Sequence, residues 1–180
     1  MDQTARIPEL ISRLARLDAG ESWAAELNPA QRAALDYLSR ANRFSRSPSH
    51  VAAYLGSTRG TVSQTLKALA QKGYVEEERS DTDKRVIRFA LTAQGEQATA
   101  LPRALADAAA ALPPADRTAL QAALEQILGR MIAQNGGQPF GLCRACKHFA
   151  PDGPGGFCRL LAEPLSPEDT RKICHEQVPA

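Results

Sequence analysis

Three helix-start signals and two glycine stops fall between Asn28 and Gly73, and together they restrict this stretch to short helices joined at sharp angles. Asn28 precedes Pro29 and is followed by Gln31 at the spacing of a capping box. Ala34, Leu35, Tyr37, Leu38 and Ala41 then share one face. Ser47-Pro48 repeats the cap-and-proline signal, with Val51, Ala52 and Leu55 following before Gly56. Thr58 caps a further helix whose Val62, Leu66 and Leu69 point inward, and Gly73 closes it. The last two helices and the tight turn between them form a helix-turn-helix.

Beyond Gly73 the pattern becomes extended. Tyr74-Val75 opens one arm, Val86 to Leu91 forms the other, and Ser80-Asp81-Thr82-Asp83-Lys84 between them is turn chemistry. A polar hairpin directly after a helix-turn-helix is a wing. The predicted fold is therefore mostly α with a small β wing, a winged helix-turn-helix over residues 28–92.

With Val62, Leu66 and Leu69 inward, the helix after Thr58 presents Gly60, Ser63, Gln64, Lys67 and Gln71 outward, and Arg59 sits at its start. Amides and guanidinium groups match base edges in a major groove, while hydroxyls, Lys and the free N–H groups of a helix start meet phosphates. The candidate DNA-contacting set is Ser57, Thr58, Arg59, Gly60, Thr61, Ser63, Gln64 and Lys67, joined by Asp83, Lys84 and Arg85 on the hairpin. An ordinary solvated helix face has the same composition; the order of elements favours DNA. Arg79 and Arg88 add cations on the hairpin, and Arg40, Arg43 and Arg46 add more just before the motif, whereas Glu76-Glu77-Glu78 opposes a uniformly basic surface. The net charge is only +2, so a polyanion-binding surface has to be local.

Two further stretches carry unpartnered apolar stripes. Ile7, Leu10, Ile11, Leu14 and Leu17 recur at helical spacing up to Gly20. After Thr92 an Ala-rich helix is expected to about Leu112, bent at Pro102, and a second from Pro114 to about Gln134 carries Leu120, Leu124, Ile127, Leu128 and Met131. These stripes must close on one another or on a second subunit. No apolar run approaches a membrane span, and the first residues lack a leader pattern, so a cytoplasmic location and no membrane partner are expected.

All four cysteines, Cys143, Cys146, Cys158 and Cys174, lie at the spacing C-x2-C-x11-C-x15-C in a Gly/Pro-rich segment after Asn135-Gly136-Gly137. That segment holds too few apolar residues to fold alone, and four thiolates suit tetrahedral zinc or an iron–sulfur cluster. Spacing alone does not choose between them. His148 and His175 are expected as exposed surface histidines, and Phe149, Phe157, Leu160 and Leu161 as apolar shielding. There is no phosphate-binding glycine loop, no paired carboxylates and no histidine with a nucleophile partner, so an enzyme is not expected.

The segments LNPAQRAALDYL, SPSHVAAYLGSTRGTVSQTLKALAQKGYVEEE and SDTDKRVIRFALTAQG resemble the MarR family of winged-helix regulators. The resemblance implies that Asp83 orients Arg85 toward the minor groove. It also implies a homodimer built by the terminal helices, a pseudo-palindromic double-stranded DNA operator and a possible small-molecule effector, aromatic in many members. The layout is then an N-terminal dimerisation helix over 1–27, the winged helix over 28–92, C-terminal dimerisation helices over 93–135 and a Cys-rich metal-binding tail over 136–180. The pattern CRACKHF, FCRLL, ICHE is similar to the cluster-binding pattern of high-potential iron–sulfur proteins, which favours an iron–sulfur cluster such as [4Fe-4S], with Zn2+ as the alternative. The function expected is a sequence-specific transcription regulator, a repressor, whose cysteine site senses redox or metal status by altering dimer geometry. The alternatives are a structural zinc staple beside a conventional effector, an electron carrier, and an adaptor.

Overall fold

The computed structural model describes residues 3–21, 26–79, 87–101, 103–137 and 139–180. Helix α1 spans Gln3–Glu21, α2 Pro29–Arg40, α3 Pro48–Leu55 and α4 Arg59–Gln71; strands β1 (Val75–Arg79) and β2 (Ile87–Leu91) follow. The start signals act as local chemistry dictates. Asn28 and Gln31 close a reciprocal capping box, Ser47 accepts from the His50 amide and Thr58 from the Thr61 amide, while Gly56 takes the left-handed conformation at φ +60°.

Leu27, just before α2, and Leu35, Tyr37 and Leu38 on α2 meet Val51, Val62, Leu66, Leu69, Val75 and Phe89 in one core. The two strands are antiparallel, pairing Val75 with Leu91 and Arg79 with Ile87. The hairpin tip, and with it Asp83, Lys84 and Arg85, lies outside the described residues.

The single bent helix expected after Thr92 is instead two, α5 (Ala93–Thr99) and α6 (Ala104–Ala110). Pro102 offers no amide to the preceding turn and disfavours helical backbone at Leu101, so a break results rather than a bend. Helix α7 runs over Pro114–Gln134, and its Leu120, Leu124, Leu128 and Met131 are all exposed, as are Ile7, Leu10, Ile11, Leu14 and Leu17 on α1. Arg103 ties these arms to the winged helix: its guanidinium reaches Asp18 on α1 and Asp36 on α2, and Asp36 also accepts from Arg32 at 3.0 Å.

The tail is a small fold of its own. Strands β3 (Gly141–Leu142) and β7 (Ile173–Cys174) pair antiparallel, and β4 (Phe149–Asp152), β5 (Gly155–Cys158) and β6 (Glu163–Leu165) form a three-stranded sheet. Its buried apolar cluster is Cys143, Leu165 and Cys174, with Phe44, Phe149 and Cys158 packed against them. The centre of the module is thus built largely from thiols, in place of the aliphatic core that its composition cannot supply.

Nor does the module hang free beyond α7. It folds back onto the connector between α2 and α3, where the Asn42 amide donates to the Ile173 carbonyl at 2.9 Å, and Ala41 bridges Ile173 in parallel. Phe140 meets Tyr54 edge-on at 5.2 Å and Tyr37 at 6.1 Å, joining the module to the winged-helix core.

Candidate nucleic-acid interface and metal centre

The outward face of α4 carries the expected groups. Ser57, Thr58, Arg59, Gly60, Thr61, Gln64 and Lys67 are exposed and Ser63 is half-buried. Among the described residues neither Arg59 nor Lys67 has an ion-pair partner, so both charges are available to a phosphate or a guanine edge. Thr58 and Thr61 are already engaged: their hydroxyls lie 2.8 Å apart, and Thr58 Oγ1 accepts the Thr61 amide at 3.2 Å. The protein's own packing does not require Gly60, where an added Cβ would approach only Thr58 Oγ1, at 4.0 Å. What the glycine leaves is room above the helix start for another molecule's backbone.

The cations before the motif are spent differently from the sequence expectation. Arg43 pairs with Asp169 and donates to the Pro164 carbonyl, Arg46 Nε donates to the Ala41 carbonyl at 3.2 Å, and Arg40 Nε donates to the Asp36 carbonyl at 2.9 Å. Arg79 pairs with Glu77 at 3.1 Å.

All four cysteines line one small pocket, together with His148, Phe149, Leu160, Leu165 and Glu176. Phe149 and Leu160 supply apolar wall as expected. Phe157 and Leu161 remain exposed, and Leu165 and Phe44 complete the shielding instead. Two sulfurs receive N–H donors: Cys143 from Asn42 Nδ2 at 3.0 Å and Cys146 from the Val178 amide at 3.4 Å. Cys143 also hydrogen-bonds Cys174, and its thiol titrates far above the usual range because of that bond and its burial. Cys174 is pulled down to about 6, first by Cys143 and then, against its burial, by Asn42, the Glu176 amide and Ser45. Among the described residues no set of three His, Cys, Asp or Glu side chains is arranged to hold a single metal ion.

The histidines are not the exposed pair that the sequence suggests. His148 is half-buried against the cavity, and the His175 ring stacks on His50 at 4.0 Å, with Phe140 edge-on at 5.4 Å. Burial, and then His175 alongside, push the His50 pKa down to about 4. Asn42 and Ser45 went unnoticed in the sequence, and nothing in their local spacing connects them to cysteines over a hundred residues away.

Helix, turn, helix and antiparallel wing, with an exposed polar and cationic face on the second helix, define a winged helix-turn-helix. Residues 25–86 match the sequence model of the MarR family. Over that third of the chain the winged helix is similar to that of the MarR family. No curated protein matches it. Among solved structures it is similar to FabT of Streptococcus pneumoniae in complex with DNA, at 21% identity and TM-score 0.58, over 74% of this chain and 99% of that one. It is also similar to the MepR–DNA complex of Staphylococcus aureus, at 17% identity and TM-score 0.56 over 72% and 98%, and to the transcriptional regulator SlyA, at 15% and 0.58 over 74% and 96%. These neighbours, covered almost completely, leave roughly a quarter of this chain without a counterpart. Among the described residues no helix is long and apolar enough to cross a membrane.

Proposed function

We propose that the protein is a homodimeric, sequence-specific repressor of transcription that reads a pseudo-palindromic double-stranded operator in the cytoplasm, and that its four-cysteine centre binds an iron–sulfur cluster that reports redox or metal status. The observation that carries the first half is the exposed, uncommitted Arg59 and Lys67 beside Gln64 on a helix of MarR-type architecture. Arg85, oriented by Asp83, is the wing's contribution.

The cluster is supported by four thiols around one pocket with N–H donors on two of them, since such donors stabilise thiolate charge and tune a bound centre. A single zinc ion would need all four sulfurs about 2.3 Å from one point. The same four thiols could hold zinc in that way, and metal analysis separates the two.

Anaerobic purification with iron, sulfide and zinc analysis and an absorption spectrum, followed by selection of bound fragments from genomic DNA, tests both halves. Iron and sulfide in near-equal amounts with a visible chromophore are expected, together with enrichment of an inverted repeat. Stoichiometric zinc would make the module a structural staple and direct the search for a signal to a small-molecule effector. Failure to enrich any DNA would remove the regulator reading and leave an electron carrier or an adaptor.

A further inference from the structure

The connector between α2 and α3 lies where four elements meet. Tyr37 of α2 donates its hydroxyl to the Ser45 carbonyl at 2.7 Å, the Phe89 amide of β2 donates to the Arg46 carbonyl at 3.0 Å, and Ser47 caps α3. The fourth element is the cysteine module. Asn42 Nδ2 donates to Cys143 Sγ at 3.0 Å, and the His175 amide, next to Cys174, donates to Ser45 Oγ at 2.8 Å. Asn42 and Ser45 are both essentially excluded from solvent, at 0% and 1% exposure. Their polar atoms therefore depend on these partners, because a buried donor that loses its acceptor has no water to replace it.

We infer that Asn42 and Ser45 are the mechanical link between the cysteine centre and the DNA-reading elements. The inference rests on the reading of that centre as a metal or cluster site. A group bound by Cys143 and Cys174 would fix the acceptor of Asn42 Nδ2 and, next to Cys174, the His175 amide that Ser45 Oγ accepts. Its removal would let both partners move and loosen the connector. The consequences run both ways along the chain: α3, which stacks His50 on His175 and packs against α4, loses its abutment, and β2 loses a fixed carbonyl at the base of the wing. The signal thus passes within one subunit to the recognition helix, rather than through the dimer arms as the sequence suggested.

The test uses the full chain purified anaerobically, with hydrogen exchange across residues 41–55 and affinity for the selected DNA measured before and after chelation or oxidative removal of the bound metal. Removal is expected to accelerate exchange in that segment and change affinity about tenfold, within the usual range of coupling between sites. In Ser45→Ala and Asn42→Ala, which keep all four cysteines, metal content is expected to persist while the affinity difference between loaded and stripped protein shrinks below about threefold. If the purified protein binds neither iron with sulfide nor zinc, the underlying reading fails and this inference with it. If metal is bound but its removal changes neither exchange nor affinity, the reading stands and the coupling is wrong. Should Asn42→Ala not fold, Ser45→Ala and the exchange experiment on the unaltered chain decide the matter.

Discussion

Asn28 and Asn42 are the same residue type put to opposite uses. Asn28 serves its immediate neighbours, capping α2 through the Gln31 amide at 2.9 Å, so its role is legible from the residues that follow it. Asn28→Ala is expected to lower stability by about 1 kcal/mol, measured by urea unfolding. Asn42 serves a sulfur 101 positions away and receives no local signal at all. Lys67 belongs with the legible residues, since helical period alone places it opposite Leu66 and Leu69. In Lys67→Ala the loss of one phosphate contact should reduce the slope of log affinity against log salt by about 0.9. An unchanged slope would move Lys67 out of the interface. Arg40, Arg43 and Arg46 show the limit of counting charges: the sequence displays three cations beside the motif, and the fold commits each to a carbonyl or carboxylate partner.

Among the elements, those that carry their own period or punctuation were readable from sequence, and those that depend on distant partners were not. Helices α2, α3 and α4 follow from caps, apolar spacing and glycine stops, and β1 and β2 from alternation around turn residues. The tail strands, two to four residues each, are too short to display a period and are held by one another. Gly156 of β5 illustrates this dependence: an added Cβ would stand 2.2 Å from the Phe149 ring and 2.9 Å from the Ala150 carbonyl of the paired strand. Gly156→Ala should force Phe149 off the cavity wall and lower metal content per chain, measured by elemental analysis. Its effect on the unfolding of the winged-helix core is expected to be smaller. Gly95 at the start of α5 is a second such contact, with the Tyr74 carbonyl 2.1 Å from the position a Cβ would take. Because that neighbour is backbone, Gly95→Ala should destabilise the winged helix itself, by about 1–3 kcal/mol in thermal or urea unfolding.

At the scale of the whole molecule, two large surfaces await an explanation that one chain does not contain. The apolar stripes of α1 and α7 are exposed along their length, an arrangement that a soluble chain tolerates only when a partner covers it. A homodimer through these arms predicts that Leu14→Glu combined with Leu124→Glu yields monomers in sedimentation. It also predicts that DNA affinity falls steeply, since two linked half-site contacts become independent ones. Arg103, bridging Asp18 and Asp36, would transmit the spacing of the arms to the winged helices they carry.

The placement of the cysteine module has a consequence in time as well as in space. During synthesis, residues 41–47 leave the ribosome long before β7, and the partner for the Ser45 hydroxyl is translated 130 residues later. The helices of the reading head can form early, but its connector cannot settle until the module has been made and seated. If the four-cysteine centre binds a metal as proposed, a cell short of that metal would accumulate finished polypeptide whose connector is not yet seated.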